Sequence, residues 1–122
     1  MIDVGGTPLR FADTHLSTID DGERVEQANA IVALLKDAPE ATLLVGDMNA
    51  VPTSAEMRTL TTHWADAWSE EGFGFGFTSP VPIPITRIDY QLHSAQLVPT
   101  VASVPLSFAS DHFPVAATYS LS

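Results

Sequence analysis

The sequence predicts a single α/β domain in which helices cover a mixed β-sheet. Three observations carry this expectation. A strand, helix, strand order at crossover spacing fills residues 8–45; helical patterns cluster early and strand patterns late; and 122 residues that are 45% hydrophobic and 16% charged suit one folded core, not a disordered chain.

Each element has a local reason. Leu9, Phe11, Asp13 and His15 alternate with Arg10, Ala12, Thr14 and Leu16 after the Gly5-Gly6 turn signal, so 8–15 reads as a strand with Asp13 and His15 on one face. Asp20 followed by Glu23 fits a capping box for a helix running to about Lys36, with Val25, Ala28, Val32 and Leu35 as its apolar stripe and Ile31 and Leu34 widening it. Pro39 ends that helix, and the apolar run 41–45 suits a buried strand in a parallel pair joined by a right-handed crossover. Thr53 and Glu56 mark a second, shorter helix that sends Met57 and Leu60 to the core. Trp64 and Trp68, four apart, read as packing residues. Glycines at 72, 74 and 76 between phenylalanines at 73, 75 and 77, then prolines at 80, 82 and 84, make 69–86 a long loop or irregular edge. Those phenylalanines suit base stacking or lipid contact as well as they suit anchoring the loop. Strand alternation returns at 87–92, with Ile88, Tyr90 and Leu92 opposite Asp89, Gln91 and His93, and continues in 97–104 and 113–121.

Charge and composition narrow the function. Fifteen acidic against five basic residues give a net charge of -10, which disfavours a protein that coats DNA non-specifically but permits a phosphoester substrate where carboxylates hold a divalent ion. The absence of cysteine excludes disulfides, a thiol nucleophile and cysteine-ligated metal. No signal peptide and no transmembrane run is visible, so the reading is of a soluble chain with its compartment open.

Chemistry gathers at predicted strand ends. In Gly46-Asp47-Met48-Asn49-Ala50-Val51-Pro52 a buried strand terminates in a carboxylate with a carboxamide two residues on, in the crevice where ligands bind α/β sheets. Asp47 can hold a metal or polarise water, and Asn49 can donate to a phosphate oxygen; an ordinary Asx turn is the alternative. A calcium loop counted from Asp47 fails at Val51, Pro52 and Arg58. Before the last strand, Ser110-Asp111-His112 offers Asp111 to a cation and His112 to acid–base work, with Asp89 placed to fix the imidazole tautomer; a solvated turn is the alternative here. His15 ends the first strand, while His63 and His93 read as structural.

Taken in order, Asp13-Thr14-His15-Leu16, Gly46-Asp47-Met48-Asn49-Ala50-Val51-Pro52, Arg87-Ile88-Asp89-Tyr90 and Ser110-Asp111-His112-Phe113-Pro114-Val115 resemble the endonuclease/exonuclease/phosphatase superfamily of DNase I-like nucleases and neutral sphingomyelinases. The resemblance implies half of a four-layer α/β/β/α sandwich, with residues 1–122 forming one partial domain, the C-terminal half. It also implies Mg²⁺- or Mn²⁺-dependent hydrolysis of a phosphodiester or phosphomonoester. Carried over residue by residue, His15 helps bind or protonate the scissile phosphate, and Asp47 and Asn49 contact metal, water and phosphate. Asp89 orients His112, the candidate base; Asp111 approaches the metal; and Thr78 lines the phosphate site. Met48 stands where the family has an aromatic. The family's early asparagine and its principal metal-binding glutamate have no counterpart before His15, and Asp13 and Glu23 do not replace that glutamate. A catalytically impaired phosphate-binding or assembly module is therefore the second expectation. Acidity tilts the substrate toward a small molecule or lipid head group over long DNA. The unpartnered sheet face points to a homodimer, or to a separate chain supplying the N-terminal half.

Overall fold

The computed structural model describes all 122 residues. Strand β1 (Ile2–Val4) turns through Gly5 and Gly6 into β2 (Thr7–His15). Both glycines have positive φ, +59° and +88°, the backbone that a tight two-residue hairpin demands. Helix α1 (Asp21–Leu35) follows, capped by Asp20, whose carboxylate accepts from Gly22 N–H. Glu23 does not close the expected box; its carboxylate takes the Ser17 hydroxyl instead. Strand β3 (Ala41–Asp47) then lies parallel to β2, as the crossover reading required. The second helix, α2 (Ala55–Thr61), starts one residue later than expected, because the hydroxyl that caps Met57 N–H belongs to Ser54 and not Thr53.

The segment around the tryptophans divides into a two-residue strand, β4 (Ala65–Asp66), and a short helix, α3 (Ala67–Glu71). Strand β5 (Asp89–His93) pairs antiparallel with β3 on one side and β4 on the other, giving one sheet in the order β1-β2-β3-β5-β4. Strands β6 (Leu97–Ser103) and β7 (Ala116–Leu121) do not extend it. They form their own two-stranded antiparallel ribbon. The mixed sheet with its covering helices is thus as expected, while the late strands are a separate layer.

Alternation divides the sheet into two faces. Leu44, Tyr90 and Leu92 point into the helix-covered core with Ala28 and Leu35 of α1 and Met57 and Leu60 of α2. Leu34, expected to widen the stripe, is 80% exposed, and Arg24, outside the expected stripe, is buried beside Ala28 and Leu35 on that helix. Its guanidinium reaches Asp21, the Ser17 carbonyl and Glu56, so a charged residue is buried only because it is paired. Trp64 is buried in the same core. The opposite face carries Phe11, Leu43, Val45 and Gln91. The ribbon and the 107–115 segment that joins its two strands overhang it, leaving an open groove of about 730 Å³.

Candidate phosphoester site

Sheet register builds the site. His15 of β2 pairs with Asp47 of β3, and Asp47 pairs with Asp89 of β5. Directly paired residues share a face, so three chemistry-bearing side chains stand in one row at the end of the sheet, on the side away from the helices. The adjoining pair, Thr14 and Gly46, makes the row possible. Gly46 has φ +141°, and a Cβ there would lie 1.8 Å from the Thr14 carbonyl oxygen. Only glycine lets the two strands approach so closely just before Asp47.

His112 enters from the ribbon side. Its Nδ1 lies 2.7 Å from Asp89 Oδ2 and 3.8 Å from Asp47 Oδ2. A carboxylate accepts only, so Nδ1 carries the proton toward Asp89, and Nε2 is the nitrogen left to take or give one. Partial burial opposes the imidazolium, but the hydrogen bond to Asp89 and the charges of Asp89, Asp47 and Asp111 outweigh it and hold His112 above the ordinary histidine value. His15 is more open, 67% exposed, with Nε2 3.5 Å from Asp47 Oδ2.

Asn49 makes the Asx turn that was the alternative reading of its motif. It sits at φ +47°, the left-handed region that asparagine tolerates, with its backbone N–H donating to Asp47 Oδ1 as in an Asx turn. Its carboxamide donates to the Leu16 carbonyl at 2.7 Å, tying the end of β2 to the end of β3. Tyr90 supports that loop from below, its hydroxyl 2.7 Å from the Ala50 carbonyl, and burial drives its phenol well above the usual tyrosine range. That Tyr90 contact was not legible in the sequence, where the residue read only as an apolar position.

Two expected residues stand apart from the row. Thr78 is fully buried, with its N–H on Thr86 O, its carbonyl on Phe113 N–H and its hydroxyl accepting, at 3.4 Å, from Ile88 N–H. It therefore fastens the 78–86 loop and the His112 segment to β5. Asp111 is exposed, and its carboxylate accepts from the Ser110 hydroxyl. His93 is structural, as read: it is buried, with Nε2 2.9 Å from Glu70 and Nδ1 3.0 Å from the Ser94 carbonyl.

The grouped ligand atoms are those of Asp47, Asp89 and His112, all within 4.8 Å of one another. Carboxylate oxygens suit a hard ion such as Mg²⁺ or Mn²⁺, which holds several waters and takes one or two carboxylates alongside substrate phosphate. Because Asp89 is engaged by His112, the set fits such an ion through Asp47 chiefly, a partial site and not a closed cage.

A family model described as the endonuclease/exonuclease/phosphatase family matches residues 2–112. The chain belongs to that family. Among solved structures it is similar to a conserved protein of unknown function from Enterococcus faecalis, at 22% identity and TM-score 0.83, covering 92% of this chain and 50% of that one. It is similar to a mannosyl-6-phosphatase from Bacteroides thetaiotaomicron, at 20% identity and TM-score 0.78, covering 96% and 53%. A family protein from Beutenbergia cavernae superposes at 25% identity and TM-score 0.80, covering 98% of this chain and 38% of its own. No curated protein matches the chain significantly. The endonuclease/exonuclease/phosphatase chain described here thus spans about half the length, or less, of these structural relatives.

Proposed function

We propose that this chain is the phosphate-binding, proton-transferring half of a phosphoester hydrolase site and is catalytically impaired until another carboxylate joins it. The observation that carries this reading is the composition of the cluster: Asp47, Asp89 and His112 group together, and Asp89 is committed to His112. In the proposed reaction the His112–Asp89 pair positions a base at Nε2 to take a proton from attacking water. His15 and Asn49 meet the phosphate oxygens, Asn49 through the amide N–H left free by Leu16. Asp47 would hold Mg²⁺ or Mn²⁺, which supplies charge neutralisation at the phosphate. Thr78 and Asp111 serve at its margin, Thr78 by fixing the loop and Asp111 by adding negative charge near His112.

The test measures two quantities on one preparation. Inorganic phosphate binding should strengthen with Mg²⁺ or Mn²⁺ and weaken about tenfold in His15→Ala, while hydrolysis of generic phosphodiesters and phosphomonoesters stays slow. Any hydrolysis should vanish with EDTA and fall by about a hundredfold or more in His112→Ala and Asp47→Ala. Activity that survives EDTA, or is unchanged in His112→Ala, overturns the assignment.

A second reading is favoured by the groove lined by Phe11, Leu43, Val45 and Gln91, which runs up to Asp47 and Asp89. A second copy, or a separate polypeptide, seated there would cover these side chains and could bring the further carboxylate to the row. Such an assembly would be an active Mg²⁺-dependent phosphatase or phosphodiesterase.

A further inference from the structure

Charge is distributed very unevenly along this chain. Thirteen of the fifteen acidic residues precede position 72, and the whole stretch 72–86 contains no Asp, Glu, Lys or Arg. That stretch also carries the most exposed phenylalanines of the molecule: Phe73 is 97% exposed and Phe75 79%. Ile83 and Ile85 are 74% and 66% exposed, and Val51, from the Asp47 loop, lines a groove together with Phe75 and Ile85.

The outward pose of these side chains is fixed from beneath. Gly72 and Gly76 lie against the Trp68 indole, whose Nε1 donates to the Gly74 carbonyl. Phe75 stacks on Phe77 with ring centroids 5.0 Å apart, and Thr78, Ser79 and Thr86 hydrogen-bond across the loop. The patch is also coupled to the site, since Val81 N–H donates to the Asp111 carbonyl and Phe113 N–H to Thr78 O. An apolar, uncharged and internally braced surface thus lies beside the phosphoester row.

We infer that the 72–86 loop, with Val51, is a membrane-contact surface that seats Phe73, Phe75, Ile83 and Ile85 in the interface of a zwitterionic phospholipid bilayer. Burial of aromatic and aliphatic side chains at the headgroup boundary supplies the attraction. Charge selects the lipid. An anionic bilayer or a nucleic acid would need Lys or Arg around the patch, whereas Arg87, the cation lining its groove, is buried on Asp66, and the chain as a whole is strongly acidic. The consequence for substrate, a phosphoester presented at a lipid surface, rests on the proposed function; the membrane contact itself does not.

Co-sedimentation with phosphatidylcholine vesicles tests the contact. The chain should pellet with pure phosphatidylcholine, and replacing part of it by phosphatidylserine should weaken binding. Phe73→Ser with Phe75→Ser should reduce partitioning about tenfold or more, while Phe73→Leu with Phe75→Leu largely retains it, each with an unchanged circular dichroism spectrum. Brominated phosphatidylcholine should quench tryptophan fluorescence, since Trp68 lies directly behind the loop. His112→Ala should bind vesicles like the parent, so hydrolysis that persists in that variant while binding stays intact would count against the phosphoester reading alone. Failure to partition onto phosphatidylcholine, stronger binding to phosphatidylserine, or equal binding by the double serine variant overturns the membrane contact. So does a fall in the sedimentation coefficient of the lipid-free protein on that substitution, which would mark the patch as a self-association face.

Discussion

At the scale of single residues, the site depends on one hydrogen bond that crosses between chain segments 23 residues apart, His112 Nδ1 to Asp89 Oδ2. In metal-free protein the His112 ring should titrate above the ordinary histidine value of about 6.5, and Asp89→Asn should move it downward; ring-proton NMR in EDTA reads both. The sign for stability follows from that direction. A raised folded-state value means the imidazolium is favoured by folding, so its contribution is complete below the unfolded-state value and is lost as pH rises through the folded one. The difference in stability between the parent and Asp89→Asn should therefore be larger at pH 5 than at pH 9, and an equal difference at both would contradict it. His112, Asp89, Asp47 and His15 were legible because strand alternation and the order of four motifs placed them at strand ends. The Asn49 bond to the Leu16 carbonyl and the complete burial of Thr78 were not, because both depend on how loops fold back over strands distant in sequence.

At the scale of elements, periodicity located the strands and helices well and located their partners less well. The β2–α1–β3 crossover was readable from spacing and the apolar run 41–45, whereas the separation of β6 and β7 from the main sheet was not: alternation identifies a strand without naming its neighbour. Capping chemistry explains the small shift at α2, where two adjacent hydroxyl residues compete and Ser54 wins. Arg24 shows the limit of reading an apolar stripe, since a buried cation paired with Asp21 and Glu56 and bonded to the Ser17 carbonyl looks polar in sequence. The most demanding position is Gly46. Gly46→Ala combines a forbidding φ of +141° with a clash against the Thr14 carbonyl, and should cost about 3 kcal/mol or more in urea unfolding. Leu44→Ala, deep in the core, should cost about 2–5 kcal/mol while leaving the strand-end row in place. A Gly46→Ala protein as stable as the parent would mean that β2 and β3 can separate without penalty.

At the scale of the molecule, two surfaces remain open: the groove over the sheet and the loop patch beside the site. Light scattering at micromolar concentration should give a dimer if the groove is filled by a second copy, and Phe11→Ser should shift it toward monomer; a monomer unaffected by that change would leave the groove to a different chain. The net charge of -10 could be read from the sequence, but the order of the strands and the distribution of apolar surface between groove and patch could not, since both needed the ribbon's position. Few side-chain hydrogen bonds hold that ribbon to the sheet, chiefly Gln91 to the Val115 carbonyl and Tyr119 to Gln91. It is therefore suited to open as a unit of its own, ahead of the five-stranded sheet. Backbone amides of β6 and β7 should exchange with deuterium faster than those of β3 and β5. Because His112 sits on the segment joining β6 to β7 while Asp89 stays with the sheet, an opening event that also frees Phe113 from Thr78 parts the His112 ring from the Asp89 carboxylate. The lifetime of the assembled row is then set by a partial unfolding rate, well short of the lifetime of the fold.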